Sequence, residues 1–493
     1  MIIVQLIFFT YFCSKLYFIM VRIKICKDIP EDSSVVLLAT RESCFDNYGL
    51  SDDEASYVKA QIDAKSACIS LNKNGRCFFV QTVDTTGDID KEREKIRCNA
   101  FKLHQNVTQQ KIKSLAIVDT ADFPDFLCAF AESMALSNYQ FLKYTGKKEE
   151  KKFSLRELTI VGNVDQTAID RLNVAIEAVY KTRDLVNEPG SIMTSARLAA
   201  EFEAMGKEAG LDVQVFDKTA IEEMKMGGLL AVNRGSVEFP TFTVLEWKPA
   251  EAKNERPIIL VGKGLTYDTG GNNLKTGDYM NDMKSDMAGG AAVAATVQAI
   301  AKAKIPLHVI ALIPSTDNRI SANAISPGDV ITMYDGTTVE VANTDAEGRL
   351  ILADALVFAK KYNPELVITM ATLTGAASRA VGDKGIATMG KASQETMERL
   401  KKCGEYVRER IVEFPLWEEY GEELESDVAD LKNIGSENAG MITAGKFLEH
   451  FTSYPFIHLD IAGVAFAKSA NGYRGKGGTG VGVRLLLKFL YEK

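Results

Sequence analysis

Ile258-Ile259-Leu260-Val261 is an unbroken apolar run that passes directly into Gly262-Lys263-Gly264-Leu265-Thr266-Tyr267-Asp268-Thr269-Gly270-Gly271. A strand with no polar alternation has to be covered on both faces, so the run predicts a buried strand of a sheet flanked by helices. The glycine-rich segment behind it reads as a loop at the strand's carboxyl end, carrying Lys263 and Asp268. Ligands of open α/β sheets bind at that edge. Lys275 follows, and then Asp286 within Met283-Lys284-Ser285-Asp286-Met287. Residues 288–302 are rich in Ala and Gly, with Val293, Val297 and Ile300 at near-helical spacing. Asp286 therefore stands at or before a helix start, where the helix dipole favours its charge.

A second acidic segment, Asn343-Thr344-Asp345-Ala346-Glu347-Gly348-Arg349-Leu350, lies between a strand-like and a helix-like stretch. Asp345 and Glu347 are two apart, so an extended or turning backbone points both side chains the same way. Hard oxygen donors at that spacing suit divalent cations. Arg349 adds a fixed fork of donors able to hold a carboxylate-like or carbonate-like anion. An isolated D-x-E is more often a solvated acidic turn; its convergence with Lys263, Asp268 and Asp286 favours a metal site. Other chemistries fit worse. The four histidines, His104, His308, His450 and His458, form no His-x-x-x-His zinc pair and no visible Ser-His arrangement. His308 and His458 adjoin apolar strand-like runs and read as packed core residues. The eight cysteines include no C-x-x-C pair, and seven of them fall between Cys13 and Cys128, so reduced thiols are the simplest account.

The strings VGKGLTYDTGG (261–271), LK (274–275), MKSDM (283–287), NTDAEGRLILADAL (343–356) and ATLTGA (371–376) together resemble the cytosolic leucyl aminopeptidase family of two-metal exopeptidases. The resemblance extends to RDLVNEPG (183–190), DVADLKNIG (427–435) and HLDIAGVA (458–465), with a further likeness at AESMALSNYQF (131–141). It implies that Asp268 and Glu347 bridge two divalent ions, that Asp345 completes one site through side chain and carbonyl, and that Lys263 and Asp286 complete the other. Zn, Mn, Mg and Co all accept such ligands. A lysine ligand must lose its proton, which two adjacent dications favour. By the same resemblance a metal-bridging water is the nucleophile, Lys275 stays protonated and polarises the scissile carbonyl, and Arg349 holds a bicarbonate that accepts the water's proton. The implied substrate pocket comprises Met283, Thr372, Leu373, Ala462 and Ala465, the implied substrates are peptides with large apolar amino-terminal residues such as Leu, and the implied assembly is a cytoplasmic homohexamer. Three positions depart from the family pattern: Thr369 stands for an Asp, Gly290 for an Ala, and Ala465 where a relative carries Met. The short Ala465 side chain leads us to expect better tolerance of Phe.

A net charge of −8 and a pI near 5.4 argue against a general affinity for nucleic acid, which needs clustered Lys and Arg. The mixed-charge run Lys147-Lys148-Glu149-Glu150-Lys151-Lys152 is the clearest linker candidate. Residues 1–19 are strongly apolar but lack a preceding basic region and a small-residue cleavage site, and Lys15 interrupts them. They read as an upstream extension with Met20 as the working start, and no membrane association is expected. Met20-Val21-Arg22-Ile23-Lys24-Ile25 alternates like a half-exposed edge strand.

From residue 158 on, strand-like and helix-like stretches alternate. Helices are expected at 165–185, 196–205, 288–302 and 350–361, and strands at 212–216, 241–247, 258–261, 307–313 and 366–371, with a hairpin turning at Tyr334-Asp335-Gly336-Thr337. This predicts an α/β protein: a smaller amino-terminal α/β domain over 20–150, a linker and connecting helix over 151–180, and a larger catalytic α/β domain over 181–493 with a mostly parallel central sheet flanked by helices. Two other readings stay open on the residues alone: a two-metal phosphoesterase, since paired metals also stabilise in-line displacement, and a non-catalytic assembly or DNA-binding protein on the same fold.

Overall fold

The computed structural model describes residues 20–73 and 75–493; the apolar stretch 1–19 lies outside them. The chain divides into two compact units, with the boundary between Asn173 and Val174, inside helix Gln166–Asn187.

The amino-terminal unit holds a six-stranded sheet in the order Arg22–Ile25, Glu157–Val161, Ser114–Asp119, Ser34–Ala39, Arg76–Thr82, Cys68–Lys73. All neighbours but the last pair run parallel. Arg22–Ile25 is an edge strand, as its alternation predicts. The charged run 147–152 does not end this unit. It forms a short helix, Lys148–Lys151, with no buried residue, and Glu157–Val161 then returns to the same sheet between Arg22–Ile25 and Ser114–Asp119. The boundary expected at 150 therefore moves past the strand. Charge alternation marks a solvated turn of helix here, and the apolar pattern that follows still belongs to the first core.

In the second unit the sheet order is Ile411–Glu413, Ile386–Gly390, Phe456–Asp460, Leu366–Ala371, Ile258–Gly262, Val309–Asn318, Thr241–Trp247, Asp212–Phe216, with Gly264–Asp268 paired to the far end of Val309–Asn318. The central strands run parallel, and the outer pairs include antiparallel ones. The unbroken apolar run behaves as expected: Ile258, Ile259, Leu260 and Val261 are all fully buried. Helices Ala288–Lys302 and Glu347–Ala359 pack against this sheet, the second with every residue buried. Gly290 explains how the first comes so close. A Cβ there would lie 2.9 Å from both the Lys263 carbonyl oxygen and Ile313 Cγ2, so an alanine would force its neighbours to give. Among the described residues, no helix is long and apolar enough to cross a membrane.

Three expectations change in this unit. Residues 262–271 are not a loop throughout: the strand kinks at Lys263 and resumes as Gly264–Asp268. The kink stays satisfied because Lys263 N–H donates to the Met370 carbonyl at 3.1 Å and its own carbonyl accepts Gly290 N–H at 2.8 Å. The strand expected at 307–313 runs instead from Val309 to Asn318, through Pro314. The helix expected at 350–361 begins earlier, at Glu347. The hairpin forms where expected, Val330–Thr332 pairing antiparallel with Thr338–Glu340.

Candidate metal centre

Four chain segments meet at the carboxyl edge of the central strands. Asp268 ends strand Gly264–Asp268, Glu347 opens helix Glu347–Ala359, Asp286 follows the turn Met283–Ser285, and Lys263 sits at the strand kink. One carboxylate oxygen each from Asp268, Asp286 and Glu347 lies within 4.8 Å of the others, and all three residues are buried. Lys263 Nζ reaches Asp286 Oδ2 at 2.8 Å and Glu347 Oε1 at 2.9 Å and donates to the Thr372 carbonyl at 3.1 Å. The absence of a side chain at Gly348 makes room for it, since a Cβ there would fall 2.7 Å from Lys263 Nζ. Asp345 stands at the rim with its side chain 33% exposed. Lys275 Nζ spans the gap, 2.7 Å from Asp268 Oδ2 and 2.5 Å from Asp345 Oδ1.

The electrostatics are those of a site short of positive charge. Four carboxylates face two ammonium groups in surroundings that exclude most water. Burial, with the Asp268 charge adding to it, raises Asp286, Asp345 and Glu347 above the ordinary carboxylate range. Burial alone would discharge Lys263, but Asp286, Glu347 and Asp268 outweigh it and hold the amine protonated. Lys275 is likewise kept charged against burial, by Asp268, Glu347 and Asp345. Asp286 Oδ2 and Asp345 Oδ1 face these ammonium groups yet accept no hydrogen bond of good geometry among the described residues. Buried, mutually repelling oxygen donors with unused lone pairs fit divalent cations, whose charge would relieve the repulsion.

Arg349 is also buried, and burial lowers it to about 10, so it stays charged at neutral pH. Its Nη1 donates to the Asn433 carbonyl at 2.8 Å, while its Nε has no hydrogen-bond partner among the described residues. Asn433 in turn pins the turn before the helix, accepting N–H bonds from Ala342 and Asn343 and donating to the Asn343 carbonyl.

Among the pocket candidates, Thr372 donates to Asp286 Oδ1 at 2.6 Å, and Leu373 and Ala462 both give their backbone N–H to Asp460 Oδ1 at 3.1 Å. These three lie together beside the centre. Met283 is half-buried at the start of the turn leading to Asp286. Ala465 is buried, its N–H bonded to Ile461 and its carbonyl to Thr479. His308 pairs with Glu246 at 2.7 Å, and His458 is fully buried.

Two further residues of the site were not singled out from the sequence: Asn318, and Asp460 within HLDIAGVA. Asn318 donates through Nδ2 to Asp268 Oδ1 at 2.9 Å, to the Thr344 carbonyl at 3.1 Å and to Glu347 Oε2 at 3.4 Å, tying two acidic segments together. The polar run Ser315-Thr316-Asp317-Asn318 after an apolar strand is its only signal. Asp460 is buried and raised to about 6 by burial, against bonds from Thr374, Ala462 and Leu373, and it organises the loop after Ala371.

The profile of the cytosol aminopeptidase family, catalytic domain, matches residues 180–487. A probable cytosol aminopeptidase of Geobacter sp. (strain M21) is 36% identical over an alignment covering 96% of this chain and 100% of that one. One of Chloroherpeton thalassium is 51% identical over 311 residues, 62% of this chain and 60% of its own length. Among solved structures, the bottromycin maturation enzyme BotP in complex with Mn superposes with a TM-score of 0.82 at 28% identity, covering 94% of this chain and 99% of that one.

Proposed function

The chain belongs to the cytosol aminopeptidase family, whose members are metal-dependent aminopeptidases, and on that premise we propose a leucyl-type exopeptidase that removes large apolar residues from the amino termini of peptides. The observation that carries this reading is the buried meeting of Asp268, Asp286 and Glu347 around Lys263, inside the stretch that matches the family.

In this reading Asp268, Asp286, Asp345, Glu347 and Lys263 hold two divalent ions, with manganese and zinc the first candidates; the Mn complex of BotP supports manganese. When bound, the ions supply Lewis-acid polarisation of the peptide carbonyl and make water acidic enough to be deprotonated near neutral pH. Lys263 would hold an ion only as the neutral amine, its proton passing to solvent, because cations among Asp286, Glu347 and Asp268 would oppose the ammonium charge that those carboxylates otherwise favour. Lys275, which the neighbouring carboxylates favour in its charged form and which would not be a ligand, would keep its proton and offer its charge to the carbonyl oxygen as negative charge builds there. Arg349 fixes a bicarbonate ion as proton acceptor. The substrate's first side chain rests among Met283, Thr372, Leu373, Ala462 and Ala465. The working protein is a cytoplasmic homohexamer.

Exopeptidase character is tested by offering leucyl p-nitroanilide, its N-acetyl derivative and a phosphate monoester. Cleavage of the first alone is expected; turnover of the acetylated compound would remove the requirement for a free amine, and phosphate release would favour a phosphoesterase. Specificity is expected to rest on Met283, whose flexible thioether fills gaps around Leu. Met283→Ala should shift the kcat/KM ratio for phenylalanyl over leucyl amides upward by about tenfold or more, the scale of a methylene-sized change in an apolar pocket. An unchanged ratio would place Met283 outside the pocket. For the assembly, light scattering at micromolar protein with metal present is expected to give six times the 54.1 kDa chain mass; a species at 54.1 kDa would contradict the homohexamer.

A further inference from the structure

The segment Arg183-Asp184-Leu185-Val186-Asn187-Glu188-Pro189-Gly190 supplies no candidate ligand, yet it lies against two of the segments that do. Arg183 and Asn187 stand one turn apart at the end of helix Gln166–Asn187 and grip the same residue. Arg183 Nε donates to the Gly478 carbonyl at 2.8 Å, and Asn187 Oδ1 accepts the Gly478 N–H at 2.9 Å. The helix end is thereby fixed. Just past it, Gly190 comes so close to strand Gly264–Asp268 that a Cβ there would fall 2.7 Å from Tyr267 Cδ2. All of these residues belong to the second unit.

The same helix end meets the turn that leads to Asp286. Lys284 Nζ donates to the Asn187 carbonyl at 2.7 Å, and Asn187 is buried. The last carbonyls of a helix have no partner within it, and the negative end of the helix dipole favours a cation there, so an ammonium group on that oxygen is a firm attachment. The turn itself is stiff. Asp282 adopts the left-handed conformation, with φ 67°, and its carbonyl accepts both the N–H of Ser285 at 2.9 Å and its hydroxyl at 2.7 Å. Asp286 N–H donates to the Met283 carbonyl at 3.2 Å. A stiff turn moves as one body, so the place of Asp286 depends on what holds the turn at each end. At the inner end the Thr372 hydroxyl reaches Asp286 Oδ1 at 2.6 Å and the Asp286 carbonyl at 3.1 Å. At the outer end stands the bond from Lys284 to Asn187.

We propose that Lys284 is a positioning residue for the metal centre: by clasping the carbonyl end of helix Gln166–Asn187 it fixes the turn Met283–Ser285 and so sets the Asp286 carboxylate in its place beside Lys263. The segment 183–190 is the post to which that turn is tied. The inference rests on the assignment of Asp286 as a ligand of one ion, and adds what holds that ligand in position. Asp268 and Glu347 are shared between the ions in that assignment and Asp286 is not, so a loosened turn weakens one ion and spares the other.

The experiment is calorimetric titration of Mn²⁺ into the metal-stripped full chain, for the parent, Lys284→Met, Asp286→Ala and the pair, with folding checked by thermal melting. Lys284→Met keeps the apolar stem and removes the donor. It is expected to weaken one of the two ions by about tenfold, the scale of losing a partner that orients a ligand, and the other by less than about twofold. Turnover of leucyl p-nitroanilide should recover as Mn²⁺ is raised, and Lys284→Arg, which keeps a long cationic donor, should restore the affinity. In the Asp286→Ala background, Lys284→Met should change the affinity for the remaining ion by less than about twofold, since groups acting through one another are not additive. Lys284→Gln, with an uncharged donor on a shorter stem, is the second variant and should fall between parent and Lys284→Met. Parent-like affinity for both ions in a folded Lys284→Met or Lys284→Gln, equal weakening of both ions, or an undiminished effect in the Asp286→Ala background would overturn the inference and leave the two-metal reading intact. A parent that binds fewer than two ions would overturn both.

Discussion

Replacing Glu347 by alanine is expected to abolish aminopeptidase activity and to strip metal from the purified protein. Its carboxylate is one of three buried within a 4.8 Å cluster, and on the proposed function it would be shared by both ions. Loss of a partner outside the ligand set typically costs about 10–100-fold in metal affinity or activity, and a shared ligand should cost more. The fold should survive, because Lys263 keeps Asp286 and the Thr372 carbonyl as partners. Asp345→Ala should follow the same direction. Its rim position and greater exposure let solvent replace part of what is lost, so its metal content should fall less steeply than that of Glu347→Ala. Metal analysis of both variants beside turnover of a leucyl amide decides the matter. A Glu347→Ala protein with full metal and near-normal turnover would remove the two-metal assignment.

Lys275→Ala should separate catalysis from metal binding. Lys275 forms ion pairs with Asp268 and Asp345 without belonging to the three-carboxylate cluster, and its ammonium competes with cations for both. Removing that charge leaves every candidate ligand in place, so metal content should hold or rise. Turnover should fall by about two to three powers of ten, the usual scale for losing one donor to a developing oxyanion. A loss of metal equal to that in Glu347→Ala would show that Lys275 serves the metals rather than the carbonyl.

The strands and helices around the centre were legible because their residues repeat one physical signal over a long stretch. Leu366–Ala371 and Ala288–Lys302 fall where the apolar run and the Ala-rich spacing put them. The kink at Lys263 was not, since its flanking glycines read as loop, and the bonds that keep the chain in strand come from Met370 and Gly290, distant in sequence. The strand expected to stop at Ile313 runs on through Pro314, because Thr241–Trp247 and Gly264–Asp268 extend the pairing beyond it. The acidic residues Asp268, Asp286, Asp345 and Glu347 were found from their segments. Asn318 and Asp460 were not, because each works through hydrogen bonds to backbone and side chains that only the folded sheet edge brings near. Thr369 looked like a lost charge; in the structure it has a partner, His458.

The central claim is that these five side chains bind two ions that the reaction requires. Its most direct test is to strip the protein with a chelator, confirm that it remains folded, and titrate Mn²⁺ or Zn²⁺ back while following leucyl amide hydrolysis and bound metal together. The expected result is an inactive metal-free protein, activity that returns with added metal, and full rate only at two ions per chain. Undiminished hydrolysis by the metal-free protein, or full rate at a single bound ion, would contradict it.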